Sequence, residues 1–423
     1  MKTIESGGRG LYVQYLQLAL NRAGYPTLID GIFGEGTCAS LRRFLGEPEA
    51  ACRVDEAVWD RLIPYLKGYT LHEIRPGDTY TGIAGQYGTD AAHIIRANPT
   101  VDPGNLVPGR IISVPFAFDI VPDQVPISSE LNDWILEGLT VRYPFLIQGQ
   151  VGESVMGRRI AYLQIGTGSR EVFYNASFHA NEWITSLVLL RFAEEYSKAF
   201  AEGRSLYSVR ASWLFYGFKL YLMPLVNPDG VDLVTGALTE GPSYENAVNI
   251  AAQYPDIPFP GGWKANIEGI DLNLQFPAGW EQAKENKYAQ GYTTPAPRDY
   301  VGSEPLSAPE SRAVYEFTRA HDFRLILAYH AQGEVIYWKY LDYEPEDSRR
   351  IALYFGEVSG YAVELTPAGS GYAGYKDWFI QEYNRPGYTI EVGRGVSPLP
   401  LSQFPGIYFN NRLILEGGMT ELE

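Results

Sequence analysis

Phe178-His179-Ala180-Asn181-Glu182-Trp183 follows directly on the apolar run Glu171-Val172-Phe173-Tyr174-Asn175-Ala176-Ser177. It sets an imidazole and a carboxylate three residues apart at the end of a strand, which is the spacing of a zinc-ligand pair. A catalytic zinc needs three protein ligands and an open position for water, commonly two His and one Glu. The chain has five histidines. His72 and His93 fall in an N-terminal region with its own pattern and read as surface residues, which leaves His179, His321 and His330. An H-x-x-E pair also describes a structural contact capping a helix, so the decision rests on later segments. Arg324-Leu325-Ile326-Leu327-Ala328-Tyr329 is strand-like and ends in His330, and Gly387-Tyr388-Thr389-Ile390 ends in Glu391. Open α/β sheets bind their ligands beyond the carboxyl ends of strands. Three strands, each closed by a polar residue, therefore bring these groups to one edge. His321 sits in Thr318-Arg319-Ala320-His321-Asp322, at the end of a helix, where a histidine serves the helix dipole.

The 423 residues allow about three domains, and 45% hydrophobic with 14% aromatic residues is ample for packed cores. A formal charge of −16 argues against a nucleic-acid partner, because phosphate binding needs clustered Lys and Arg. No apolar run approaches the roughly 18 residues of a membrane span, and the N-terminus lacks the apolar core of a secretion signal. The expected location is the cytoplasm or the spore, or the cell wall after release. Cys38 and Cys52 are the two cysteines. Two buried free thiols are expected, with a disulfide as the alternative in an oxidising compartment.

Four segments are expected. Residues 1–67 read as a helical module: Val13, Leu16, Leu20 and Ala23 recur at helical spacing, Gly24 stops the helix, and a glycine-rich turn leads into a second helix through Ala39, Leu41 and Phe44. Leu16-Gln17, Gly24-Tyr25, Asp30-Gly31, Phe33-Gly34 and Thr37 resemble the peptidoglycan-binding module of bacterial wall hydrolases. Residues 68–116 read as a strand, two short helices and a returning strand. His72 to Thr79, Ala97-Asn98-Pro99, Leu106-Val107-Pro108-Gly109 and Ile112-Ser113-Val114-Pro115 resemble a LysM domain, which implies binding of N-acetylglucosamine-containing glycans. Residues 117–127 read as a linker. Residues 128–423 alternate strand and helix patterns and form an α/β domain.

That last segment resembles the zinc carboxypeptidase superfamily, through His179 with Glu182, Asn227-Pro228-Asp229-Gly230, Asp271-Leu272-Asn273, His330 and Thr389-Ile390-Glu391 in that family's order. The resemblance implies a mixed sheet flanked by helices and one Zn2+ per chain on His179, Glu182 and His330. It further implies Glu391 as general base and Asn273 in contact with substrate. Leu274 stands where carboxypeptidases place the arginine that pairs with a terminal carboxylate, and a leucine makes no such bidentate contact. The family's oxyanion arginine is also not evident around Trp263-Lys264. The branch that lacks the clamp and carries LysM and peptidoglycan-binding modules is that of the γ-D-glutamyl-L-diamino acid endopeptidases. Resemblance to it implies cleavage of peptidoglycan or muropeptides between γ-D-glutamate and meso-diaminopimelate. A zinc carboxypeptidase or amide hydrolase of relaxed specificity, and a wall-glycan binding protein with a degenerate hydrolase domain, are the alternatives. A γ-linkage leaves a free α-carboxylate on the D-glutamate, and Arg394 is the cation chosen to meet it. Tyr372, in a glycine-flanked segment with Tyr375 as the alternative, is chosen as the mobile active-site hydroxyl.

Overall fold

Apolar residues at helical spacing bury one side of α1 (Leu11–Arg22), and Gly24, at φ +86°, turns the chain after it. With α2 (Glu35–Leu45) and α3 (Glu56–Lys67) it makes a three-helix module, closed by an antiparallel pair of short strands, β1 (Ile4–Glu5) and β2 (Arg53–Val54). The module's polar motif residues have a structural task. Gln17 is fully buried; its Nε2 donates to Asp30 Oδ1, Ile32 O and Thr37 Oγ1, and its Oε1 accepts from the amides of Asp30 and Gly31. A buried amide with every bond satisfied pins the loop between α1 and α2. Cys38 and Cys52, expected as free thiols, are joined in a disulfide; their Cα atoms lie 5.3 Å apart, within the span a bridge requires.

Next come β3 (Tyr69–Glu73), α4 (Tyr80–Tyr87), α5 (Ala91–Ala97) and β4 (Ile111–Pro115), with β3 and β4 antiparallel from Tyr69↔Pro115 to Glu73↔Ile111. Ile74, Ile83, Ile94, Ile112 and Val114 fill the small core between sheet and helices. His72 is not on the surface as expected. It is 5% exposed, with Nδ1 3.1 Å from Tyr87 Oη and Nε2 2.8 Å from Asp78 Oδ2, because it lies on the inward face of β3. The stretch 117–127, read as a linker, has no helix or strand, yet Ile120, Val121 and Val125 are buried and Arg22 donates to the carbonyls of Asp119 and Ile120. Helix α6 (Ser129–Arg142) packs back on the turn between α3 and β3: Lys67 Nζ lies 2.9 Å from Glu137, and Arg142 Nη2 donates to Gly68 O and Phe116 O. Residues 1–126 and 130–147 form one compact unit, and 127–129 with 148–423 a second. The computed structural model describes residues 1–367 and 369–422.

The second unit is built on an eight-stranded mixed sheet of β5 (Ile147–Glu153), β6 (Arg159–Ile165), β7 (Arg170–Ala176), β8 (Phe218–Met223), β9 (Phe323–His330), β10 (Val335–Tyr337), β11 (Ala362–Glu364) and β12 (Gly387–Glu391). The spatial order is β11-β10-β12-β9-β7-β8-β6-β5. The central strands β12, β9, β7 and β8 run parallel and are largely apolar, as strands covered on both faces are. On one face lie α7 (Ile184–Ala201) and the helix Phe404–Thr420; Tyr174 Oη donates to Leu415 O on the latter. Phe173, Phe317, Phe323, Tyr375 and Trp378 fill the other, aromatic core. Register sets the site: Glu391 is opposite His330 at the ends of β12 and β9, and β7 ends at Ala176, opposite Tyr329. Among the described residues no helix is long and apolar enough to cross a membrane.

Gly138 on α6 is held by space. A Cβ there would stand 1.8 Å from the Lys67 carbonyl oxygen, a backbone atom with no rotamer to yield. Helix propensity alone favours alanine by about 1 kcal/mol, whereas overpacking costs about 1–3 kcal/mol. Gly138→Ala is therefore expected to destabilise the first unit, read as a lower urea midpoint; a higher midpoint would show that α6 is not seated this closely.

Candidate metal and catalytic site

Beyond β7 the chain turns sharply at Ser177, which takes a left-handed φ of 54°. Its backbone amide donates to Thr185 Oγ1 at 3.1 Å and its hydroxyl meets Ser186 Oγ at 2.7 Å, and these buried contacts compensate the strain. The turn delivers His179 into a short 3-10 segment, Ala180–Glu182, that sets His179 and Glu182 side by side. His179 Nδ1 is 2.9 Å from Glu182 Oε1, His330 Nδ1 is 3.0 Å from Glu182 Oε2, and the two Nδ1 atoms are 3.2 Å apart. The Phe178 ring stacks on the His330 ring and fixes its plane.

Three lone-pair donors converging within 4.8 Å of one another fit a cation. Tetrahedral zinc with bonds of about 2.0–2.1 Å demands ligand separations of about 3.3 Å, close to those observed. Electrostatics agree. Burial lowers the His330 pKa, so this imidazole is neutral, as a ligand must be. For His179, burial is outweighed by the carboxylates of Glu182 and Asp271, and its pKa rises to about 9, so metal competes there with a proton. Asp271 Oδ1 lies 3.2 Å from His179 Nε2, the orienting contact that metal-binding histidines commonly have. Asp271 is itself held by the amides of Asn273 and Asp299.

Glu391 faces this group from the end of β12. Burial first, then the charge of Glu182, push its carboxyl up to about 8 against the pull of Lys264, and a bound cation would draw it lower. A carboxyl near neutrality is suited to moving protons. Lys264, in the segment where the family's oxyanion arginine is not evident, places Nζ 2.9 Å from Glu182 Oε1. Two lobes of a cleft meet here. One, about 270 Å³, is lined by Asn273, Leu274, Tyr337, Lys376 and Thr389; the other, about 440 Å³, by Asn181, Asp256, Gln332 and Ser397; Lys264, Arg298 and Glu391 line both. Asn273 Oδ1 accepts the Tyr375 amide at 2.9 Å, which fixes its side chain at the cleft wall.

Two expected residues lie elsewhere. Arg394, three positions after Glu391, is 79% exposed and its guanidinium is on Glu334, because the chain turns outward through Gly393 (φ +66°) once the strand has ended. Tyr372 lines a separate hollow with Tyr340 and Leu341 and packs over Gly279. Tyr375 is fully buried with its hydroxyl 2.9 Å from Thr318 Oγ1, part of the core. Among the described residues the tyrosine lining the cleft is Tyr337, on the short strand β10, where nothing in the local sequence distinguishes it from the other tyrosines. His321 stays apart as expected, Nδ1 at 2.7 Å from Phe317 O at the end of its helix.

The zinc carboxypeptidase family model matches residues 133–407. The chain belongs to the zinc carboxypeptidase family. It is accordingly a zinc metallopeptidase, and His179, Glu182 and His330 are the group that fits the metal. A LysM domain is matched at residues 72–115. The chain is 43% identical over 281 residues to gamma-D-glutamyl-L-diamino acid endopeptidase 1 of Lysinibacillus sphaericus, covering 66% of this chain and 68% of that protein. It is 42% identical to the uncharacterized protein YqgT of Bacillus subtilis, covering 63% and 70%. Carboxypeptidase A from Helicoverpa armigera has the same fold, with a TM-score of 0.54 at 17% identity, over 84% of this chain and 97% of that one.

Asp271→Ala is expected to weaken zinc binding by about 10–100-fold through loss of His179 orientation. His330→Ala should abolish stoichiometric zinc and His321→Ala should retain it. Elemental analysis after dialysis reads all three; full zinc in His330→Ala would remove that residue from the metal group.

Proposed function

We propose that this metallopeptidase hydrolyses the bond between γ-D-glutamate and meso-diaminopimelate in peptidoglycan stem peptides. In this reading His179, Glu182 and His330 hold one zinc, Glu391 is the general base and Asn273 contacts substrate. The observation that carries it is Leu274. It lines the cleft lobe beside Asn273 and Glu391, in the place where a carboxypeptidase needs a cation for a terminal carboxylate. The 43% identity to a relative named for γ-D-glutamyl-L-diamino acid cleavage supports the same substrate.

Zinc, when bound, supplies Lewis-acid polarisation of the scissile carbonyl and a more acidic water. The chain's own residues do the rest. Glu391 takes the proton of the attacking water and returns it to the leaving amine of the diamino acid. Asp271 keeps the His179 ring turned so that Nδ1 faces Glu182 and His330. Lys264 pairs with Glu182 and lines both lobes of the cleft, where a fixed cation would stabilise negative charge developing at the carbonyl oxygen. The LysM domain is proposed to bind N-acetylglucosamine-containing glycan and the module of residues 1–67 to bind peptidoglycan, which raises the local concentration of hydrolase at its substrate.

L-Ala-γ-D-Glu-meso-diaminopimelate is expected to yield L-Ala-D-Glu and intact diaminopimelate by mass spectrometry. Leu274→Arg should not improve this reaction, since a cation buried without its carboxylate is costly. Stepwise removal of C-terminal residues from ordinary α-linked peptides by the unaltered protein would instead favour a carboxypeptidase. Glu391→Gln should keep zinc and fold and lose turnover by about 10²–10⁴-fold; near-normal turnover would move the base elsewhere.

A further inference from the structure

Arg298 sits at the junction of the two cleft lobes with Lys264 and Glu391. Its position is built from long-range contacts. The amides of Lys264 and Ala265 both donate to Pro297 O, at 2.7 and 3.0 Å, which clips the residue before Arg298 to the segment carrying Lys264. Asp299, buried and left-handed at φ +66°, donates its amide to Asp271 Oδ2 at 3.1 Å. A non-glycine residue held in that conformation is the kind of strain that functional sites retain.

The Arg298 guanidinium is only partly engaged. The Asp299 carboxylate pairs with two cations, Lys287 through Nζ and Arg298 through Nε. The other basic groups on the cleft are engaged: Lys264 on Glu182, Lys376 on Asp377. Nη1 and Nη2 of Arg298 meet no protein acceptor among the described residues, so the guanidinium keeps a two-pronged donor edge toward the cleft. Such an edge matches a carboxylate in bidentate geometry.

We propose that Arg298 binds the free α-carboxylate of the γ-linked D-glutamate, and so selects γ-linked acyl groups over ordinary peptides. This rests on the substrate reading given above. In a γ-glutamyl peptide the α-carboxylate is separated from the reacting carbonyl by three carbons, whereas an α-linked peptide of neutral residues has no anion there. A cation at the junction of the lobes, beside the general base, meets that difference directly. Arg394, on Glu334, does not.

The test is a two-by-two comparison in the full chain loaded with zinc. L-Ala-γ-D-Glu-meso-diaminopimelate is compared with the same tripeptide carrying an α-carboxamide on the glutamyl residue, for the unaltered protein and for Arg298→Met. The unaltered protein is expected to prefer the carboxylate by about 10²-fold in kcat/KM, mostly through KM. Arg298→Met is expected to lose that preference by slowing the acid while leaving the amide nearly unchanged. Arg298→Lys, which keeps charge and loses the fork, should fall between. Equal loss on both substrates, or an undiminished preference in Arg298→Met with full zinc content, would overturn the proposal while leaving the γ-glutamyl reading intact. Cleavage of neither substrate by the unaltered protein would overturn both.

Discussion

Glu182 is the point on which the second unit turns. Its side chain is 1% exposed, and an isolated carboxylate at that depth would be prohibitively costly. The cost is offset by groups from separate parts of the chain: Nδ1 of His179 beside it, Nδ1 of His330 from β9, the Ala331 amide just past that strand, and Lys264 Nζ from a long connection. The carboxylate thereby ties the ends of β7 and β9 to the loop that forms the cleft wall. Lys264 is bound in turn to the metal-site turn, its carbonyl accepting the Ala180 amide. The arrangement is a connected polar network, and in such a network each member holds its neighbours in one geometry.

The same network explains how an acidic chain can favour anionic peptides. At physiological ionic strength charges are screened over about 8 Å, so the net charge of −16 acts weakly inside a cleft. What a bound peptide meets is local: Lys264, Lys287, Arg298 and Lys376 on the cleft walls, held by Glu182, Asp299 and Asp377. Removing the carboxypeptidase clamp at Leu274 thus does not leave the cleft without cations. The cation with a free donor edge is Arg298, at the junction of the lobes. A glycan-binding module on the same chain adds to encounter what long-range charge does not supply.

The metal group and the proposed base were legible because they follow the ends of three apolar strands. The runs before His179, His330 and Glu391 are strongly patterned, and parallel strands in one sheet must end at one edge. The LysM elements were legible for a similar reason, since their turn residues close β3 and β4 on each other locally. His72 was misjudged because a two-residue period does not say which face of a short strand points inward when both neighbours are polar or partly apolar. Tyr337 was missed because 31 tyrosines carry no positional signal of their own. The proximity of Arg394 to Glu391 in sequence also misled, since a strand end reverses direction within a residue or two.

The sequence by itself determined the candidate set: two imidazoles and a carboxylate that fit a metal, a carboxylate proposed as the base, and a leucine in place of the clamp. That follows from local pattern, in which burial and period are written residue by residue. Only the tertiary structure decided which cation serves the cleft. Arg298 stands 116 residues after Glu182 in the chain, and it reaches the site through backbone bonds from Lys264 and Ala265 to Pro297 and through the left-handed Asp299. Loop residues of this kind have no periodicity to read, because their positions are set by long-range hydrogen bonds that exist once the sheet has brought the segments together.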